Sequence, residues 1–130
     1  MIITMVVLTF QNWMNNILEH KLEEISELKD GWIPGSIAIQ PKAIEFTKVF
    51  LDIIKNHENW DIAPFVNGSI MLTYRTDDIC CVINVATLGI SAFIEGDDLY
   101  ETITLHYNEN SVMTELIDFL NKYLKLSLKS

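Results

Sequence analysis

Three groups of residues have the types that chemistry requires. Cys80 and Cys81 stand side by side in a strand-like run, Glu95-Gly96-Asp97-Asp98 with Glu101 is the densest group of carboxylates, and His20, His57 and His106 are scattered along the chain. A thiol beside a base would make a nucleophile, and convergent carboxylates would hold Ca²⁺ or Mg²⁺. Neither arrangement is developed. No base stands at a recognisable spacing from Cys80 or Cys81, and cysteine in mid-strand serves as a small apolar filler. Successive strand residues point to opposite faces, so the two cysteines are poorly placed to bridge each other. Neither CxxC nor Cys/His spacing for zinc occurs. The carboxylates lack the spacing of a calcium loop, and Gly-Asp-Asp is ordinary turn chemistry. Gly31 and Gly35 build neither the GxxxxGK[ST] nor the GxGxxG phosphate loop. The expectation is therefore a chain with no catalytic set, no metal and no cofactor.

The elements that position these residues follow from hydrophobic period. Phe10, Trp13, Met14, Ile17, Leu18, Leu22, Ile25 and Leu28 recur in steps of three and four, one stripe of an amphipathic helix, with Glu19, Glu23, Glu24 and Glu27 on its wet face. Asp30-Gly31 is expected to stop it. A loop, GWIPGSIAIQ, carries Trp32, which is expected to anchor the core together with Ile37 and Ile39. Pro41 suits the first turn of a second helix running to about Lys55, with Ile44, Thr47, Phe50, Leu51 and Ile54 on one side and Phe46, Val49 and Ile53 widening the stripe. The period then becomes two. Strands are expected at about 62–66, 69–75, 78–86, 89–95 and 101–107, with turns at Asn67-Gly68, Thr76-Asp77, Thr87-Leu88 and Gly96-Asp97-Asp98. Asn67-Gly68 predicts a type I′ turn. A last helix starts near Ser111 or Val112, with Met113, Leu116, Ile117, Leu120 and Leu124 as its stripe. Short turns make the strands antiparallel neighbours. The predicted fold is α+β: one domain, 1–130, with an antiparallel β-meander of about five strands and two N-terminal helices and one C-terminal helix packed on one face.

Alternation divides the sheet into two faces. Ile70, Leu72 and Tyr74, then Ile79, Cys81, Ile83 and Val85, then Ile90, Ala92 and Ile94, then Ile103 and Leu105 form the core face. The opposite face is mixed: Met71, Val82 and Phe93 are apolar among Thr73, Cys80, Ser91, Thr102 and Thr104, with Arg75, Asn84, Glu95 and His106 as a polar rim. An apolar patch with a polar rim is the anatomy of a binding surface. These seven residues, Met71, Arg75, Val82, Asn84, Phe93, Glu95 and His106, are the candidate partner-binding set. The competing expectation is that residues 1–8 fold across this face.

Two segments carry a family likeness. Gly31-Trp32-Ile33-Pro34-Gly35-Ser36, followed by Pro41 opening a helix that ends in Phe50-Leu51, and Pro64-Phe65-Val66-Asn67-Gly68-Ser69-Ile70-Met71-Leu72-Thr73-Tyr74 together resemble a largely uncharacterised bacterial family of small proteins. Its members carry a GWDGPGS-like loop, a helix and a G-x-I-x-L-x-W hairpin. The likeness spans about Leu28 to Glu95, with Ile33 alone before Pro34 and Tyr74 in place of the final Trp. It implies an α+β architecture and brings no established activity.

Composition narrows the function. Among 130 residues, 9 are basic and 18 acidic, a net charge of −9, with 49% apolar residues. That is the composition of a globular domain, and at this length roughly two-thirds of the unfolded surface is buried on folding. Direct nucleic-acid binding is disfavoured, because such affinity comes from Lys and Arg on phosphates, and Lys122, Lys125 and Lys129 merely close a helix. Met1 to Phe10 is apolar but lacks a basic lead and a small-residue cleavage site, and is too short to span a membrane. A cytoplasmic protein is expected. Its partner is expected to be another protein, a basic one, or a second copy in a homodimer. The reading is a non-enzymatic protein of the antitoxin, immunity or anti-defence kind from a bacterium or mobile element. The alternative is a small-molecule-binding protein or enzyme with a pocket near the Trp32 loop and the 65–74 hairpin. With cysteines only at 80 and 81, thiol counting and intact mass should find two free thiols; stoichiometric zinc would overturn this.

Overall fold

The computed structural model describes residues 16–107 and 111–124. Phe10, Trp13 and Met14 of the first stripe, the 1–8 segment, Lys125 and Lys129 lie outside them. The first helix, α1 (16–26), buries Leu18, Leu22 and Ile25 and exposes Glu19, Glu23 and Glu24. It ends earlier than Asp30-Gly31. Ser26 Oγ–H donates to the Glu23 carbonyl at 2.6 Å, and Glu27 and Leu28 N–H reach back only three residues, so the last turn tightens and closes. Gly31 instead shapes the loop that follows. At φ 80° it turns the chain so that its N–H donates to Ser36 O at 2.9 Å.

The loop also corrects the role expected of Trp32. Its indole is half-buried and lies outside the core cluster, with Nε1–H donating to Ile37 O at 3.0 Å. Ile37 is 43% exposed; only Ile39 of the trio is buried. The loop is held by its own polar groups: Ile33 N–H donates to Ser36 Oγ, and the Ser36 hydroxyl donates to Ile33 O. A loop closed this way has no need of an indole plug. It docks instead on the hairpin at 65–69, where Ile37 N–H donates to Val66 O and Gln40 N–H to Gly68 O. The loop that carries Trp32 and the Asn67-Gly68 hairpin are thus hydrogen-bonded to each other.

Helix α2 (Pro41–Ile53) has Pro at its start and buries Ala43, Thr47, Phe50 and Leu51. Val49 is 46% exposed, so the widened stripe is not covered on that side. The helix stops before Lys55 because Ile54 turns extended and buries its side chain. His57, 2% exposed, donates from Nε2 to the Leu51 carbonyl at 2.7 Å and satisfies an acceptor of the last turn.

The sheet has five antiparallel strands in the order β1-β2-β3-β4-β5: β1 (Trp60–Pro64), β2 (Ile70–Arg75), β3 (Ile79–Val85), β4 (Gly89–Gly96) and β5 (Leu99–His106). The first strand starts two residues earlier than expected, because Asn59 turns the chain at φ 71° and delivers Trp60 to the core. The Asn67-Gly68 turn is not type I′. Among these residues Gly68 alone takes positive φ, Gly68 N–H donates to Phe65 O, and Phe65 N–H to Ser69 O, giving a three-residue loop. A Cβ on Gly68 would also lie 3.0 Å from Ala38 O of the docked loop. The last hairpin is tighter than expected, since Gly96 pairs with Leu99 across Asp97-Asp98 and Asp98 takes φ 55°. Glycine is required at 89, where a Cβ would fall 2.1 Å from Leu105 O.

Helix α3 (Val112–Leu124) buries Val112, Leu116, Ile117 and Leu120. All three helices pack on the expected sheet face, where Ile70, Leu72, Cys81, Ile83, Val85 and Ile94 are fully buried. The indole that anchors this core is Trp60, 6% exposed, with Phe50 edge-on at 5.3 Å and Tyr74 at 5.1 Å. Trp60→Ala should therefore cost about 3–5 kcal/mol, whereas half-buried Trp32→Ala should cost about 1 kcal/mol. Chemical denaturation of the two variants checks this, and equal losses would overturn the assignment.

Candidate interaction face of the sheet

Strand pairing arranges the outer face in rows. One row runs Ala63, Met71, Asn84, Ser91, Thr104; the next Asp61, Thr73, Val82, Phe93, Thr102; the third Arg75, Cys80, Glu95, Tyr100. Val82 lies directly opposite Phe93. Met71 is diagonal to Val82, and Tyr100 is diagonal to Phe93 and stacks on it at 6.2 Å and 23°. The apolar side chains thus form one oblique stripe, Met71–Val82–Phe93–Tyr100, across four strands. The stripe lines a shallow groove with Asn84, Ser91, Thr102 and Thr104.

Of the seven candidate residues, Met71, Val82, Asn84 and Phe93 come together in this groove. Arg75 and Glu95 flank Cys80 in the third row, with Arg75 Nη2 at 3.8 Å from the Cys80 sulfur. His106 stands apart: it pairs with Gly89 at the opposite end of β5 from Tyr100. Tyr100 is the residue that sequence reasoning missed. It is 65% exposed, and a strand begun at 101 leaves it in the turn. Its parity with Thr102 and Thr104 is the signal that would have found it.

The charge is unevenly spread. Arg75 and Glu95 balance within the third row, and Asp61 Oδ1 receives the Lys21 ammonium at 2.6 Å. The excess carboxylates sit elsewhere, on α1 and in the exposed turns Asp77-Asp78 and Asp97-Asp98 at one end of the sheet. Among the described residues, no three His, Cys, Asp or Glu side chains stand close enough to hold a metal ion. No described helix is long and apolar enough to cross a membrane.

Two further clefts lie among the helices. One, of about 320 Å³, lies between α1 and α2 and is lined by Leu22, Ile44, Lys48 and Asp52; the other separates α2 from α3 beside Phe46 and Tyr107. Trp32 lines neither. Comparison of the chain with protein families, with curated proteins and with solved structures found no match.

The cysteines are free and divide between the faces, Cys81 buried in the core and Cys80 half-exposed on the outer face. Burial, helped by the neighbouring Cys80, pushes the Cys81 thiol up from 9.0 to about 12, and burial alone lifts the Tyr107 phenol from 10.0 to about 12. Both groups keep their protons in the fold while the unfolded chain gives them up. Their contribution to stability is complete below about pH 9 and is lost as pH rises toward about 12. In native protein at pH 8 a thiol reagent should therefore modify Cys80 alone, Cys81 reacting only on unfolding. Denaturation midpoints should fall between pH 9 and 11, less steeply in Cys81→Ala. Modification of both thiols in the native state would contradict the placement of Cys81.

Proposed function

We propose that this chain is a non-enzymatic binding protein that acts by docking another protein on the outer face of its sheet. The observation that carries the reading is the stripe Met71–Val82–Phe93–Tyr100, three half-buried side chains and one exposed ring that line one groove with a polar surround and locally balanced charge. Apolar side chains left in contact with water lose the free energy that burial would provide, roughly 25 cal/mol per Å². Aromatic side chains such as the stacked Phe93 and Tyr100 are the usual anchors of a protein interface. Glu95 and the Asp97-Asp98 turn adjoin Tyr100, so the partner that fits best brings basic side chains to that end of the stripe. A small acidic protein that works by occupying a partner suits the antitoxin, immunity or anti-defence roles of bacteria and mobile elements. The alternative, a small-molecule site at the Trp32 loop, has less support, since the indole N–H is already engaged by Ile37 O.

Placing a photoreactive phenylalanine analogue at position 93 should give an adduct with a partner protein on irradiation in the cells of origin. The same analogue at exposed Val49 on α2 should give none. Phe93→Glu should weaken the complex at least about 30-fold while the far-ultraviolet dichroism and melting temperature stay near those of the unsubstituted chain. Absence of any position-93 adduct, or unfolding of Phe93→Glu, would overturn the reading.

A further inference from the structure

The two edges of the sheet are finished differently. Arg75 N–H donates to Asn59 O, so by antiparallel alternation Asp61 and Ala63 turn their backbone groups to β2, and Trp60, Ile62 and Pro64 turn theirs to the open edge. All three outward positions of β1 are closed as donors. Trp60 N–H donates to His57 O at 3.0 Å, Ile62 N–H to the Asp61 carboxylate at 2.9 Å, and Pro64 has no N–H. Short length and proline are devices by which proteins block edge pairing, and here the Asp61 carboxylate also caps an outward donor.

The β5 edge is longer, has no proline, and among the described residues has no capped outward donor; its one carboxylate, Glu101, lies opposite Ile94 on the helix side and is exposed. Tyr107 N–H donates to Leu88 O, and Ala86 N–H to Gly89 O, which fixes the parity of the last two strands. Odd residues of β5 bond to β4, and Tyr100, Thr102, Thr104 and His106 turn N–H and C=O outward. All four are exposed, and among the described residues none of these outward groups has a backbone partner. The strand is eight residues long, LYETITLH, with no proline and no lysine.

We propose that a second copy of this chain pairs with this edge, β5 against β5 in antiparallel orientation, with the two-fold axis at Ile103. This register alone matches all four outward residues with outward residues. Tyr100 meets the partner's His106 and Thr102 meets the partner's Thr104, each pair formed twice by symmetry. The threonine pairs are favourable cross-strand neighbours. On the helix side the two half-buried Ile103 side chains meet on the axis. Antiparallel pairing also sends the two Asp97-Asp98 turns to opposite ends of the joint, which leaves one carboxylate per copy, Glu101, within the paired strands, each opposite the partner's Leu105. The result is one ten-stranded sheet with two outer stripes side by side. This inference uses the edge rather than the face and does not depend on the reading above.

Sedimentation velocity and light scattering on the full chain should give twice 14.9 kDa at micromolar concentration. Thr102→Pro removes an outward N–H without touching a bond to β4, and should halve the mass while leaving the dichroism unchanged. Thr102→Lys with Thr104→Lys should do the same by charging the edge. In a Cys80→Ser background, Ile103→Cys should cross-link to itself under mild oxidation, because a non-hydrogen-bonded pair on the axis brings the Cα atoms to about 4.5 Å. Tyr100→Cys, several residues off the axis, should not. A monomer in the unsubstituted chain overturns the proposal, as does a dimer that survives both edge variants. A dimer lost in Phe93→Glu but kept in Thr102→Pro assigns self-association to the outer face and overturns it too. A monomer that still forms position-93 adducts refutes the edge dimer while the face reading stands.

Discussion

Parity governs this molecule. In an antiparallel meander with tight hairpins, each residue receives two binary assignments at once: which face its side chain occupies, and whether its backbone groups point to the preceding strand or the following one. Bonds such as Thr76 N–H to Ile79 O and Ala86 N–H to Gly89 O set that parity for whole strands. A slip of one residue would send Leu72, Ile83 and Ile94, all fully buried, to the water and bring Thr73, Val82 and Phe93 to the helices. The burial lost would exceed anything the loops could return, since each large apolar side chain is worth about 1.5–3 kcal/mol. Core, outer stripe and edges are therefore consequences of one register.

The helical layer protects that register by packing. Trp60 joins α2 to the first two strands through Phe50 and Tyr74, and His57 closes the end of α2 immediately before β1 begins. Gly89 lets β4 and β5 approach so closely that a methyl group would strike the Leu105 carbonyl. The Trp32 loop contributes differently, bracing the first hairpin from outside through Ile37 and Gln40. Its glycines and indole are thereby explained as loop architecture.

Electrostatics separates the same regions. The carboxylates concentrate on the wet face of α1 and on the turns at one end of the sheet, whereas the outer rows carry Arg75 and Glu95 on either side of Cys80 and Lys21 on Asp61. Charge of one sign repels at a distance and is screened over about 8 Å at physiological ionic strength, so balanced rows meet a protein surface at lower desolvation cost than the turns would.

Much of this was legible in the residues alone. The α+β class, the order of elements, the strand faces and the opposite fates of Cys80 and Cys81 follow from periods of 3.6 and 2, because a half-buried element must repeat its apolar residues at the spacing of its own geometry. The patch of Met71, Val82 and Phe93 was legible for the same reason. What tertiary structure decided was whatever depends on which atoms meet. Trp32 and Trp60 are the same residue type beside turns, and only packing shows that one meets Phe50 and Tyr74 while the other meets a carbonyl of its own loop. Tyr100 joined the stripe because the last strand begins at Leu99, two residues earlier than the expected 101. His106 left it because pairing set it beside Gly89. The finish of the two edges was likewise invisible in sequence, since a backbone N–H carries no residue label, and its partner is known only when the strands are in register.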